Sequence, residues 1–367
     1  MIETTAINLK NPSGLMITWD MLRRCNLDCS YCESTRHNNY SPYPSLEELK
    51  ETFNFIKQYT DLYKDKRVYK DHSNIDFTGG EPTANPNFWP LIDYIKSVGG
   101  FKLGLTTNGT WGPQFTSKIL DNFIHVTISY HTEASPKLKL RSWKNIIELH
   151  KAGMSVQANI MLHCDHFDEA VEICENLRSN GITKINPVPI GDGNMERKGW
   201  FIDSEGKNRR TSHEYTKEQQ DWFFKFMNLD RSAEQKQEGT NIGRACCGGR
   251  CTTGKVNGEW TEVKLVKNWF KDWHCTVNWF FMHIDQHTGN VFHHQTCQAT
   301  FDGKGPIGNI KESQQILDNL KEFLNKDKLP AIVCPNQRCG CGMCVPKAQS
   351  FEDFKQLWKE VTTAELE

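Results

Sequence analysis

The chain has no long apolar run: its longest stretches, such as Val188 to Ile190 and Val277 to Ile284, are short and interrupted. A membrane-spanning helix needs about 20 consecutive apolar residues, so a membrane partner is not expected. Nor is there an excess of charge of one sign. Forty-four basic residues face 45 acidic ones for a formal charge of -1, which leaves no global field to hold a polyanion, and a nucleic-acid partner is not expected either. Short basic groups, Arg209 with Arg210 and Lys137, Lys139 and Arg141, read as solvated faces. The opening residues, MIETTAINLKNPSG, lack the charged start, apolar middle and small-residue cleavage site of a secretory signal. These absences predict a cytoplasmic protein. No internal repeat and no low-complexity tract interrupts the chain.

Cysteine is the residue in surplus. There are 14, and a reducing compartment turns such a number away from disulfides and toward metal binding or catalysis. Their placement divides the chain. Cys25, Cys29 and Cys32 lie near the start, a further group runs from Cys246 to Cys344, and Cys164 and Cys174 stand apart as packed thiols.

From about residue 15 to 190, short β-like runs alternate with amphipathic ones, the pattern of βα units around a parallel sheet. Six strands are predicted: Leu15 to Met21, Asn74 to Phe77, Lys102 to Thr106, His125 to Ser129, Ser155 to Leu162 and Lys184 to Ile190. Helices are predicted between them over Leu46 to Tyr63, Phe88 to Val98, Phe115 to Phe123, Ser142 to Ala152 and Phe167 to Ser179, with Ser45 and Glu48 as a capping box for the first. Six repeats are too few to close an eight-stranded barrel, so the fold class is α/β, a partial (β/α)6 barrel with chemistry at the carboxyl ends of its strands. A polar connector over 191–213 and a helix from about Glu214 to Met227 close a first unit, 1–228. Residues 229–367 are irregular and cysteine-rich, as a small metal-held domain would be.

The first three cysteines form C-x3-C-x2-C directly after the first strand, with Tyr31 just before the last. Three thiolates hold three irons of a cubane and leave the fourth iron open, whereas structural zinc wants four ligands and a closed site. After the second strand comes Gly79-Gly80-Glu81-Pro82. Together these two elements resemble the radical S-adenosylmethionine superfamily. The resemblance implies a 4Fe-4S cluster on Cys25, Cys29 and Cys32, and S-adenosylmethionine whose amino group meets Gly79, Gly80 and Glu81. It further implies contacts from Tyr31, from Thr107 and Asn108 after the third strand, from Ser129 at the end of the fourth with His131 beside it, from Asn159 in the fifth and from Ile190 after the sixth. The expected chemistry is reductive cleavage of the sulfonium to a 5'-deoxyadenosyl radical, which abstracts a hydrogen atom from the substrate. The electron would come from an external donor of the flavodoxin or ferredoxin type.

The later cysteines are Cys246, Cys247 and Cys251 in CCGGRC, Cys275, Cys297, and Cys334, Cys339, Cys341 and Cys344 in CPNQRCGCGMC. The stretch from Cys275 to Cys297 alternates around a turn at Asp285 to Gly289 and reads as a β-hairpin. With the terminal cysteines it resembles the SPASM or twitch auxiliary-cluster domain, which implies further 4Fe-4S clusters, two rather than one. Structural zinc is the competing use of these thiols. Histidines 283, 287, 293 and 294 read as exposed hairpin positions. Trp260, Trp269, Trp273 and Trp279 read as core.

The substrates associated with that group are peptides and proteins, so the expected function is a peptide or protein maturase. Only about 14 residues precede the first strand, so a leader-recognition domain is not expected at that end and a separate recognition protein would be needed. Alternatives are radical modification, dehydrogenation or rearrangement of a small molecule or nucleotide, for which Gly191 to His213 could shape an anion pocket, and, from another class, a non-catalytic zinc-binding module. No catalytic acid or base can be named from the sequence.

Overall fold

The structure is a computed structural model, and it describes residues 14–32, 38–64, 72–190, 215–227, 253–256, 259–262, 271–295, 297, 299–301, 303–325, 332–335 and 347–355. The connector 191–213 lies outside the described residues. So do Cys246, Cys247, Cys251, Cys339, Cys341 and Cys344.

Six βα repeats form as the alternation predicts: β1 (Met16–Asp20), α1 (Leu46–Lys64), β2 (Ser73–Thr78), α2 (Phe88–Val98), β3 (Phe101–Thr107), α3 (Thr116–Asn122), β4 (His125–Tyr130), α4 (Pro136–Lys151), β5 (Ser155–Leu162), α5 (Phe167–Ser179) and β6 (Ile185–Pro189). Each strand pairs in parallel with the next. The period of two sorts their side chains. Ile17, Trp19, Ile75, Phe77, Leu103, Leu105, Val126, Ile128, Val156, Ala158 and Ile160 are buried under the helices, while Thr18, Asp20, Asp76, Thr127, Ser129 and Asn159 are half-buried on the other face. Ser45 and Glu48 make the capping box of α1: Ser45 N–H donates to Glu48 Oε2 at 2.8 Å and Glu48 N–H donates to Ser45 Oγ at 3.2 Å. α4 begins at Pro136, earlier than the apolar periodicity suggests, because Pro at the first helical position starts a helix without any apolar residue.

The chain continues through α6 (Lys217–Phe226), β7 (Thr253–Val256), β8 (Glu259–Glu262), β9 (His274–Cys275), α7 (Val277–Phe280), β10 (Phe281–Asp285), β11 (Asn290–Phe292), β12 (Gly308–Asn309), α8 (Ser313–Asn325), β13 (Ile332–Val333) and β14 (Lys347–Ala348). The predicted hairpin exists as β10 and β11, antiparallel about the turn Asp285 to Gly289. It does not stand apart. β10 pairs in parallel with β1, Met16 opposite Phe281 through Asp20 opposite Asp285, so one nine-stranded sheet runs β12-β11-β10-β1-β2-β3-β4-β5-β6. A second sheet has the order β13-β9-β14-β7-β8. Within it Cys275 is opposite both Ile332 and Lys347. Among the described residues no helix is long and apolar enough to cross a membrane.

Candidate active site

The cysteine loop leaves β1 and lies on the end of β2. Met21 N–H donates to Thr78 O at 2.9 Å, Gly80 N–H to Leu22 O at 2.6 Å and Glu81 N–H to Arg24 O at 3.0 Å. On its far side Cys25 N–H donates to Asn38 O and Asn38 N–H to Arg23 O, each at 2.9 Å. This fit is what demands the two glycines. Gly79 has φ of 129°, and a Cβ there would lie 2.5 Å from the Leu22 carbonyl oxygen. A Cβ on Gly80 would collide with the Arg24 carbonyl. In this structure the glycines admit the cysteine loop's own backbone.

Glu81 is fully buried. Its Oε1 accepts from Thr83 N–H at 3.0 Å, Thr83 Oγ1 at 2.6 Å and Thr107 Oγ1 at 2.7 Å, and its Oε2 accepts from Asn108 N–H at 2.7 Å. Burial pushes its carboxyl above the ordinary value, and the four donated bonds oppose that shift. The carboxylate thus ties β2 to β3, and the tie reaches the first cysteine. Asn108 Nδ2 donates to Asn26 Oδ1 at 2.7 Å and lies 3.8 Å from Cys25 Sγ; Asn26 Nδ2 donates to Thr110 Oγ1 at 2.8 Å. Cys25, Glu81, Thr107 and Asn108, singled out separately in the sequence, form one hydrogen-bonded unit.

Cys29 faces a second group. His131 Nδ1 is 3.4 Å from Cys29 Sγ and 2.7 Å from Tyr31 Oη, with the Tyr31 and His131 rings stacked. Glu133 and the buried His163 complete this side. Burial pushes the Cys25 and Cys29 thiols up to about 12, so loading a metal there must displace their protons. Among the described residues, the one trio of His, Cys or acidic ligand atoms all within 4.8 Å of one another is His163, Cys164 and Asp165. Three partly buried thiols on one loop, none of them in a disulfide, are a donor set that an iron-sulfur group with one open iron would accept.

The remaining predicted contacts lie further round the sheet. Ser129 and Asn159 are register neighbours on the half-buried face, and Asn159 Oδ1 accepts from Gln157 and Asn186 side chains. The Ile190 N–H donates to Tyr215 Oη at 2.8 Å, and that hydroxyl donates to Leu162 O. Of the later cysteines, Cys275, Cys297 and Cys334 are buried. Asn26, Glu133, His163 and Tyr215 were not singled out in the sequence. A signal existed for His163, which follows β5 at once, as Asn108 follows β3 and His131 follows β4.

Between β1 and the hairpin lies a cavity of about 220 Å³ lined by Asp20, Leu22, Arg23, His283, Asp285 and Phe292. Arg23 and Asp285 are 3.9 Å apart across it. His283 is buried there, where a solvent-facing hairpin position was expected: β10 is an inner strand of the sheet and turns this face onto the cavity.

Residues 19–197 match the family model described as the Radical SAM superfamily. This segment is similar to that superfamily. It is 26% identical over 198 residues to an AdoMet-dependent heme synthase of Oleidesulfovibrio alaskensis, covering 49% of this chain and 47% of that protein. It is 25% identical over 179 residues to the mycofactocin maturase MftC of Mycolicibacterium smegmatis, covering 47% of this chain and 37% of that one. The chain thus spans about half the length or less of these curated relatives. The crystal structure of Streptococcus suis SuiB bound to S-adenosylmethionine superposes with a TM-score of 0.50 at 13% identity, covering 87% of this chain and 67% of that one, a likeness of fold. The matched segment holds both groups described above, the Cys25–Glu81 unit and the Cys29–Glu133 side.

Proposed function

We propose that the chain binds a 4Fe-4S cluster on Cys25, Cys29 and Cys32, binds S-adenosylmethionine beside it, and modifies a peptide or protein by hydrogen-atom abstraction. The observation that carries this reading is the junction of the cysteine loop with the Gly79-Gly80-Glu81 turn, where three thiols outside any disulfide sit at the carboxyl end of β1. When bound, the cluster and S-adenosylmethionine supply a 5'-deoxyadenosyl radical, with the electron drawn from an external flavodoxin- or ferredoxin-type donor. The chain's own contribution is positioning. Asn26, Asn108 and Glu81 brace Cys25, and the half-buried face carrying Ser129 and Asn159 offers polar contacts for the nucleoside. Tyr31, Thr107 and the main chain at Gly79, Gly80 and Ile190 complete the binding surface. We assign further 4Fe-4S clusters to the cysteines of 229–367, with Cys275, Cys297 and Cys334 among their ligands.

A maturase among the relatives supports a peptide or protein substrate, while the heme synthase supports the alternative of a small molecule. The test is anaerobic reconstitution followed by reaction with S-adenosylmethionine and dithionite. The chain is expected to release 5'-deoxyadenosine, and Cys29→Ala to release none; cleavage retained in that variant would remove the assignment, and a protein that binds zinc in place of iron would remove the enzyme.

A further inference from the structure

The turn between Cys29 and Cys32 is closed by one backbone bond, Cys32 N–H to Cys29 O at 3.0 Å. Ser30, inside that turn, is held from outside the loop. Its N–H donates to Glu133 Oε2 at 2.8 Å and its hydroxyl donates to Glu133 Oε1 at 2.7 Å, so both oxygens of one carboxylate grip one residue. Glu133 follows β4 and is itself backed by His163, whose Nε2 lies 3.6 Å from Oε1. His163 Nδ1 accepts from Asp165 N–H at 3.2 Å, which places the proton of the neutral ring on Nε2, toward the carboxylate. The Glu133 and His163 side chains are only 20% and 7% exposed, while Ser30 itself is exposed.

We propose that Glu133 is a positioning residue for the cysteine loop: it fixes Ser30 between two cluster ligands and lowers the reduction potential of the cluster. The proposal rests on the reading of Cys25, Cys29 and Cys32 as those ligands. Potentials of iron-sulfur clusters are set by net charge and by hydrogen bonds to the sulfurs. The loop shows both possible uses of an N–H. Leu27 N–H donates to Cys25 Sγ at 3.4 Å, the arrangement that favours added electron density on sulfur. The Ser30 N–H goes to a carboxylate instead. Diverting that donor and placing a negative charge beside Cys29 both disfavour the reduced state.

The experiment uses the full chain, anaerobically reconstituted, with the Cys25→Ala, Cys29→Ala, Cys32→Ala triple variant as the blank for iron bound elsewhere. Iron above that blank, its rate of loss to EDTA and the midpoint potential from an EPR-monitored titration are compared for the parent, Glu133→Ala, Glu133→Gln and Ser30→Ala, each with parental circular dichroism. Glu133→Ala is expected to lose its iron about 10-fold faster, the scale of a lost ligand-orienting partner. Glu133→Gln keeps an acceptor and the shape; it should hold iron better than Glu133→Ala, yet titrate at a more positive potential than the parent. Ser30→Ala should loosen the iron while leaving the potential near the parental one. Should Glu133→Ala fail to fold, Glu133→Gln alone decides through its potential. Parental iron-loss rates and potentials in the Glu133 variants would overturn the proposal. A triple variant that binds as much iron as the parent would overturn the ligand assignment beneath it.

Discussion

His293, just past β11, is almost completely buried, with neither ring nitrogen hydrogen-bonded among the described residues and its ring packed edge-on against Phe301 at 5.0 Å. Burial lowers its pKa to about 3. Because the folded value lies below that of the unfolded chain, the folded protein excludes a proton that the unfolded chain takes up. The associated stability is fully present above about pH 6.5 and falls by about 1.4 kcal/mol per pH unit toward pH 3. His293→Met, of similar volume and without unsatisfied nitrogens, should therefore be more stable than the parent by about 1–3 kcal/mol at pH 7.5. Its advantage should widen at pH 5.5. Thermal unfolding at the two pH values measures this, and an advantage that stays constant would count against the buried neutral imidazole. The sequence placed His293 on an exposed hairpin face, because Phe301, which packs on it and in turn on Phe323 of α8, is not part of the hairpin's local pattern. Glu81 shows the same limit. Its motif marks it as important, but its four donors come from the residues that follow β2 and from the end of β3, a meeting that only the parallel register arranges.

At the scale of elements, period-two alternation and turn residues identified all six strands of the repeat, since each buries one face under helices close by in sequence. The parallel pairing of β10 with β1 was not legible, because it joins strands more than 260 residues apart and a hairpin advertises only its antiparallel partner. Gln286 is the side chain that locks this pairing. Its Oε1 accepts from Trp19 Nε1 at 3.0 Å and from Thr52 Oγ1 at 2.9 Å, while its N–H donates to Asp20 O at 2.9 Å. Gln286→Ala removes the acceptor of the Trp19 indole and should cost about 1–3 kcal/mol. The loss should be local: amide hydrogen exchange is expected to quicken in β10 and β11 and to stay unchanged in β4 and β5. Uniform quickening across the sheet would show that the hairpin is not held separately by this contact.

At the scale of the molecule, the two sheets are joined without slack. β9 belongs to the second sheet and β10 to the first, and between them lie only Thr276 and the four buried residues of α7, with Trp279 edge-on to Tyr63 at 4.9 Å. A cysteine field suggested a division near residue 228, since composition changes there and the later segment lacks helical periodicity. The topology gives that division a physical test. A fragment of residues 1–228 keeps all six βα repeats but loses β10, which leaves the β1 edge unpaired and uncovers part of the core around Trp19, Tyr59 and Tyr63. An exposed, apolar edge strand pairs with other copies, so the fragment is expected to elute as aggregates on size exclusion and to bind ANS, while the full chain does neither. A monodisperse fragment with parental exchange protection in β1 and β2 would show instead that the repeat folds alone and that β10–β12 only dock onto it.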